Sequence, residues 1–310
     1  MCCLFGMLDY KHNLTPKQQS KIMSILSVSC ETRGTDATGF AYNTPDCLCV
    51  YKRPMPARKM NFKLPREVSA VMGHTRMTTQ GTENKNFNNH PFYGRTKDNV
   101  FALAHNGVLH NDLILRKQEN IPETKIETDS YIAVQLIEKK NLLNTDSLKY
   151  MAESLEGSFT ITLLDRKDNL YFVKGDNPMC IYLFEDAGFY LYASTEEILK
   201  KAIRKIPYRL GKPREIKITE GDILKINAYG ERTTERFDTT KLYDFAYIPY
   251  SYWTNSRERA TTKSYAKDEY IKQLKHEAEC YGFSANYIDT LLADGFSTDD
   301  IEELVFGGYF

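Results

Sequence analysis

The chain has 310 residues and carries 41 Lys and Arg against 41 Asp and Glu, so its formal net charge at pH 7 is zero. This balance gives no support for nucleic-acid binding, and no apolar run reaches the length that spans a membrane. The start of the sequence lacks the regions of a secretion signal. Seven cysteines, an odd number, indicate no disulfide framework and favour a reducing compartment, so a cytoplasmic protein is expected.

The second residue is the first candidate for chemistry. If Met1 is removed, Cys2 carries both a thiol and a free α-amine, whose pKa is about 8. A nucleophile that uses its own terminal amine as base is a known variant of nucleophilic catalysis. The position alone argues little, because most such cysteines are buried small hydrophobes.

The hydrophobic pattern predicts an α+β protein. Residues 17–29 are predicted to form a helix, because apolar residues recur at helical spacing after a Thr15-Pro16 start, and residues 129–140 repeat that spacing. The strand-like segments are residues 39–42, 48–52, 71–74, 100–105, 159–165, 170–173, 181–185, 189–193 and 222–227. Grouped helices with this many strands predict two stacked sheets flanked by helices.

Three regions follow one another along the chain. Residues 2–240 form the predicted main domain, and residues 241–263 are a predicted linker. The tyrosine-rich stretch 243–253 and the terminal helices are candidate docking surfaces. Residues 264–310 are predicted to be a small helical unit, which loosely resembles the ubiquitin-associated type of module. A helical extension that packs on the main domain is an equal alternative. One predicted apolar stripe of this unit contains Tyr270, Leu274, Ala278 and Tyr281.

Cys47 and Cys49 alternate along a predicted strand, so their side chains lie on the same face. No Cys or His pair at ligand spacing accompanies them. The sequence therefore predicts no metal site.

Five segments combine turn residues with groups that can do chemistry. Each has a structural alternative: Arg33 and Asp36 can form a solvated pair, Asn106-Gly107 a hairpin turn, and Asp129 a helix N-cap. In chain order the segments read RGTDATG, GHTRMTTQG, NNHPF, AHNGV and ETDS.

Together these segments supply the groups that bind an amino acid and attack its amide. Arg76 can hold an α-carboxylate with its planar donors, and Asp129 can pair with an α-ammonium. The Asn106 amide and the Gly107 backbone N–H can form an oxyanion hole.

These segments, together with Cys2, resemble the class II glutamine amidotransferases, whose glutaminase domain has an N-terminal nucleophile. Later segments LEGSFTITLLD, GDNPMCIYLF, YASTEEI and EGDILKIN fit the second half of that domain. The resemblance covers about residues 2–240 and is closest to the glutaminase domain of glucosamine-6-phosphate synthase. It implies a four-layer αββα sandwich with two antiparallel sheets, followed here by the small helical extension.

The resemblance also implies residue roles. Cys2 is the implied nucleophile, and Arg76 and Asp129 hold the glutamine backbone. Thr79 and His90 are expected near the substrate, while Arg33 and Gly34 support the loop around the nucleophile. No metal and no other cofactor is implied. The two histidines expected to be structural are His74 and His105.

Three positions depart from the family pattern. Cys3 stands where glycine is common and can pair with or shield the nucleophile. Met77 and Gln80 replace an aromatic residue and a histidine, which leaves the gating of the substrate open. The chain after residue 240 is too short for a familiar synthetase domain.

The expected reaction is hydrolysis of L-glutamine through a γ-glutamyl thioester. The ammonia is expected either to be released by a stand-alone glutaminase or to pass to a separate acceptor protein. Two alternatives remain open at this point: a catalytically idle binding or scaffold module, and an amide hydrolase of the same fold that acts on another substrate. The terminal ammonium is expected to lower the pKa of the thiol.

Overall fold

The computed structural model describes residues 2–243 and 265–306. Its helices are α1 Pro16–Cys30, α2 Asp112–Gln118, α3 Tyr131–Lys140, α4 Thr145–Ser154, α5 Glu196–Ile203, α6 Tyr265–Cys280, α7 Ala285–Ala293 and α8 Thr298–Phe306. Its strands are β1 Cys3–Asp9, β2 Ala37–Asn43, β3 Leu48–Arg53, β4 Ala70–Arg76, β5 Phe92–Arg95, β6 Val100–Leu109, β7 Gly157–Asp165, β8 Leu170–Lys174, β9 Cys180–Phe184, β10 Phe189–Ala193, β11 Arg214–Ile216, β12 Asp222–Ile226 and β13 Arg232–Arg236.

The strands form two antiparallel sheets. The first has seven strands in the order β11-β9-β10-β1-β4-β2-β3, and the second has six in the order β13-β12-β8-β7-β6-β5. In the first sheet, Cys3 pairs with Thr75 and Leu4 with His74 across β1 and β4. Continued by one residue, this register sets Cys2 opposite Arg76.

Three apolar clusters show that the two sheets lie between helix layers. Side chains of α1 and α5 pack on one face of β1 and β2, and side chains of α3 and α4 pack on one face of β6 and β7. The third cluster lies between the sheets and includes Leu4, Met72, Ala104 and Phe172. Alternate residues of one strand belong to different clusters because successive side chains point to opposite faces. The predicted sandwich is confirmed.

The first predicted helix is confirmed. The Thr15 hydroxyl accepts from the Gln18 N–H and the Gln18 side chain accepts from the Thr15 N–H, which closes a capping box around Pro16. The second predicted helix begins at Tyr131, two residues later than expected. Asp129 lies before it because its carboxylate accepts the backbone N–H groups of Leu109 and Ser130.

The hairpin alternative for Asn106-Gly107 is wrong. Both residues lie within β6, where Asn106 pairs with Thr160 and Gly107 with Phe159 of β7. The long ladder with β7 overrides the local turn preference of the Asn-Gly pair.

The C-terminal helices contact the main domain. The predicted stripe of α6 is buried, and Leu274, Ala278 and Tyr281 belong to the same apolar cluster as residues of β2 and β3. The Arg53 guanidinium donates to the Glu302 carbonyl oxygen over 3.1 Å. Residues 244–263 of the predicted linker lie outside the described residues, and so do residues 244–253 of the tyrosine-rich candidate docking surface.

The structure bears on two expectations from composition, one about disulfides and one about membrane-spanning helices. One disulfide joins Cys47 to Cys280, a single bridge that the odd cysteine count did not indicate. Across residues 2–243 and 265–306, no helix is both long and apolar enough to cross a membrane.

Candidate active site

Cys2 lies at the start of β1, beside the loop that follows β4. Its sulfur accepts the Met77 N–H over 3.4 Å, and the Arg33 Nε donates to the Cys2 carbonyl oxygen over 2.8 Å. A Cβ on Gly34 would lie 2.5 Å from the Arg76 carbonyl oxygen, so only glycine allows this close approach. Arg33 and Gly34 therefore shape the backbone around the thiol.

Arg76 ends β4 and is buried, with 3% of its surface exposed. Its guanidinium donates to the Asn89 side-chain oxygen over 2.7 Å and to the carbonyl oxygens of Gln80 and Gly81. These bonds fix the cation below the loop that carries Thr79. Burial lowers the pKa of Arg76, while the nearby thiol and carboxylates oppose that effect.

Asp129 supplies the opposite charge from the second sheet's side of the site. One carboxylate oxygen accepts the Leu109 N–H over 2.6 Å, and the other accepts the Ser130 N–H over 2.8 Å. The charges of both Arg76 and Asp129 act on the Cys2 thiol, the first lowering its pKa and the second raising it. A buried cation and a buried anion therefore both influence the pKa of the same thiol.

Asn106 and Gly107 come from β6 of the second sheet. The His74 Nε2 lies 3.1 Å from the His105 carbonyl oxygen, which links β4 to β6 at this point. Among the described residues, the Asn106 Nδ2 is buried and has no hydrogen-bond partner. Such a donor is costly to leave unpaired, so it is available to a bound oxygen atom.

Position 107 requires glycine because of its backbone conformation and its close contact with β7. Its φ is +150° and an added Cβ would lie 1.8 Å from the Ser158 carbonyl oxygen. Any other residue would push β6 and β7 apart next to Asn106.

The pKa of the Cys2 thiol differs from the expectation. Burial raises it above its ordinary value, and this outweighs the Met77 hydrogen bond and the positive charges nearby. The terminal ammonium lowers the pKa of the thiol, as expected, but burial sets the net direction. A thiol with a raised pKa is protonated at neutral pH, so attack needs a base that removes its proton.

Cys3 does not pair with the nucleophile. Its side chain is fully buried in the cluster beneath α1, and its sulfur donates to the Leu4 carbonyl oxygen over 3.4 Å. Because successive strand residues point to opposite faces, Cys2 and Cys3 face different surroundings.

The other two predicted binding residues differ in their exposure. Thr79 is exposed on the loop after β4, next to Met77, which is 51% exposed. His90 is 4% exposed and its ring lies between those of His74 and Phe92, each with a centroid 4.3 Å away. The structure thus places His90 in the packing below the site, and Thr79 on its rim.

Two positioning residues were not predicted. Asn89 accepts a hydrogen bond from the Arg76 guanidinium, and the Asp36 carboxylate accepts the Thr78 N–H over 2.7 Å. Asn89 lies in the segment NNHPF and Asp36 in the segment RGTDATG. Their position in these motifs is the sequence feature that could have identified them.

Three buried histidines make stability depend on pH. Burial lowers the pKa of His74 to about 3 and also lowers the pKa of His90 and His105. In the unfolded chain these rings bind protons below about pH 6.5. The free energy of unfolding should therefore fall as the pH drops below 6.5, by up to about 1.4 kcal/mol per pH unit for each ring. Urea unfolding across this pH range measures the slope.

A matched pair of variants isolates the effect. His90→Gln removes one of these rings, so the slope should decrease by up to about 1.4 kcal/mol per pH unit. His12→Gln changes a histidine on an exposed turn and should leave the slope unchanged. Equal free energies of unfolding at about pH 7.5 and pH 5.5 would contradict the neutral state of the rings.

Comparison with known proteins gives a consistent result. Residues 74–201 match the family model of the glutamine amidotransferase domain. The chain is also similar to proteins named glutamine–fructose-6-phosphate aminotransferase (isomerizing). It is 32% identical to that of Listeria innocua over 158 residues, which are 49% of this chain and 26% of the relative. It is 29% identical to that of Staphylococcus epidermidis over 238 residues, which are 73% of this chain and 37% of the relative.

The chain therefore spans about a quarter to somewhat over a third of the length of these relatives. Among solved structures, it is similar to the glutamine phosphoribosylpyrophosphate amidotransferase of Bacillus subtilis. The TM-score is 0.60 and the identity 20%, with 77% of this chain and 50% of that chain covered. At this identity the likeness concerns the fold, and it agrees with the two-sheet sandwich.

Proposed function

We propose that the chain is a class II glutamine amidotransferase and that it hydrolyses the side-chain amide of L-glutamine through a thioester on Cys2. The observation that supports the proposal is a pair of buried opposite charges, Arg76 and Asp129, each held by its own hydrogen bonds, with Arg76 opposite Cys2 in the continued register of β1 and β4. They complement the α-carboxylate and α-ammonium of an amino acid. Its side-chain amide then extends toward the sulfur.

The first half of the reaction forms the thioester. The Cys2 sulfur attacks the amide carbon, and the α-amine, free once Met1 is removed, takes the thiol proton. The negative oxygen of the tetrahedral intermediate is stabilised by the Asn106 Nδ2 and the Gly107 N–H. The carbon–nitrogen bond breaks, and the protonated amine gives its proton to the leaving ammonia.

The second half restores the enzyme. Water loses a proton to the same amine and attacks the thioester carbon, and the oxyanion forms at the same position. The carbon–sulfur bond then breaks, which releases glutamate and returns the proton to the thiolate. The raised pKa of the Cys2 thiol makes this base necessary in the first half, and the weak nucleophilicity of neutral water makes it necessary in the second.

The fate of the ammonia is a separate part of the proposal. The curated relatives are named for amino transfer to fructose 6-phosphate, and this chain covers only part of their length. We propose that the ammonia is either released in the cytoplasm or passed to an acceptor enzyme on another chain. Co-purification from the native cell, followed by glutamate and ammonia measurements with and without the partner, separates the two.

The specificity part of the proposal rests on Asp129. Asp129→Asn keeps the side-chain shape but removes the charge and one of the two oxygens that accept backbone N–H groups. The value of kcat/KM for glutamine should fall roughly 10- to 100-fold, the worth of one hydrogen bond to a charged group. The decisive comparison is a glutamine analogue that lacks the α-amine. Wild type should prefer glutamine over this analogue, and Asp129→Asn should lose most of that preference.

Asp186→Asn is the matched control, because Asp186 lies exposed in the turn between β9 and β10. It should behave as wild type. If wild type cleaves the analogue and glutamine equally well, the amide hydrolase with another substrate is the better description. If it releases no glutamate at all, the idle scaffold is.

A further inference from the structure

A second group of reactive side chains lies away from the active site. Cys47 precedes β3, Cys49 lies on β3, and Cys280 is the last residue of α6. Their three sulfur atoms all lie within 4.8 Å of one another. We refer to Cys47, Cys49 and Cys280 as the three-cysteine cluster.

The geometry of the cluster has two origins. Cys47 and Cys49 are two residues apart on one strand, so their side chains share a face, and their sulfurs are 3.6 Å apart. Cys280 comes from a helix 233 residues later, with a Cα–Cα distance of 5.9 Å to Cys47. The approach of α6 to β3 thus completes a set of ligands that spacing along the chain does not reveal.

The surroundings suit thiolates. Cys47 and Cys49 are 5% and 1% exposed, and the Thr44 hydroxyl lies 3.4 Å from the Cys47 sulfur. The Tyr42 side chain hydrogen-bonds to Cys49. Hydrogen bonds of this kind orient and stabilise sulfur ligands of a metal.

We propose that the reduced three-cysteine cluster binds one Zn²⁺ ion, which clips α6 to β3. Soft thiolate ligands favour d¹⁰ ions such as Zn²⁺. A tetrahedral Zn²⁺ with bonds of about 2.3 Å sets its sulfurs roughly 3.8 Å apart, close to the separation of Cys47 and Cys49. The fourth position is left to a water molecule, because the His276 ring lies against Tyr93 instead, with centroids 5.4 Å apart.

The disulfide defines the oxidised form of the same site. A dithiol reductant converts the Cys47–Cys280 disulfide to two thiols and is itself oxidised to a disulfide. Zn²⁺ then displaces the thiol protons of the cluster. Because its ligands come from β3 and α6, bound metal adds directly to the stability of their contact.

The test uses the full chain, reduced and kept under an inert atmosphere. Zinc is titrated against a chromophoric chelator, and Co²⁺ is added separately to detect sulfur-to-metal charge-transfer bands. Wild type should bind one ion per chain. Loss of a residue that hydrogen-bonds to a metal ligand weakens binding roughly 10- to 100-fold. Cys49→Ser and Cys280→Ser each remove a ligand itself, so each should weaken zinc binding by more than that. Cys180→Ser, a buried cysteine on β9 outside the cluster, should bind as wild type does.

Far-UV circular dichroism checks that each variant is folded, and Cys49→Ser leaves both disulfide partners in place. Three results would overturn the proposal: reduced wild type that binds no zinc, equal affinity in all variants, or loss of binding in Cys280→Ser but not in Cys49→Ser. The first result would leave the cluster as a disulfide with a neighbouring thiol.

Discussion

Cys2→Ala is expected to lower glutamate release from glutamine by roughly a million-fold, the loss that follows removal of a covalent nucleophile in a comparable acyl-transfer site. The remaining groups still bind glutamine, because Arg76 and Asp129 are held by their own hydrogen bonds. Arg76 and Asp129 bind the substrate but cannot replace the sulfur as the attacking atom. A coupled assay for glutamate, with a binding measurement by calorimetry on the same variant, separates the two effects.

Cys180→Ala is the matched control. Cys180 is buried on β9, and burial raises the pKa of its thiol to about 12, so it is a second cysteine with a raised pKa. This variant should retain wild-type turnover. Glutamate release that persists in Cys2→Ala and disappears in Cys180→Ala would move the reaction to a different site.

Asn106→Ala is expected to lower kcat about 100- to 1000-fold with little change in KM. The physical reason is that the Asn106 Nδ2 is buried without a partner in the described part of the chain. Its hydrogen bond to the substrate oxygen should be strongest when that oxygen develops negative charge. Steady-state kinetics that report kcat and KM separately measure this, since a binding group would change KM as well.

Asn227→Ala is the comparison, because Asn227 lies in the turn between β12 and β13 and bonds within that turn. It should leave both constants unchanged. A change in KM alone for Asn106→Ala would place the amide on the ground-state substrate and not on the oxyanion.

Much of the fold was predictable because periodicity reports which faces are buried. The start of α1 followed from Thr15-Pro16, and strands with strong apolar runs were placed within a few residues. β1 was not assigned because it is buried on both faces and does not alternate. β13 was not assigned because all its residues are exposed and carry no apolar signal.

The site was predictable in its residue types and less so in its geometry. Motifs indicated which side chains carry chemistry, but Asn106-Gly107 has the strongest local turn preference in the chain and still lies in a strand. Only the pairing with β7 decides this. The net direction of the thiol pKa likewise depends on burial, which no local sequence feature reports. The disulfide between Cys47 and Cys280 joins segments 233 residues apart in sequence, a contact that local sequence patterns do not predict.

The most direct test of the central claim is covalent labelling of the nucleophile. The probe is a glutamine analogue whose side-chain amide is replaced by a chloromethyl ketone, and the readout is intact mass followed by mapping of the N-terminal peptide. We predict one label per chain, on the sulfur of Cys2 in a peptide that has lost Met1, with glutamine protecting against it. Retention of Met1 on an active enzyme, or equal labelling of Cys2→Ala, would contradict the account.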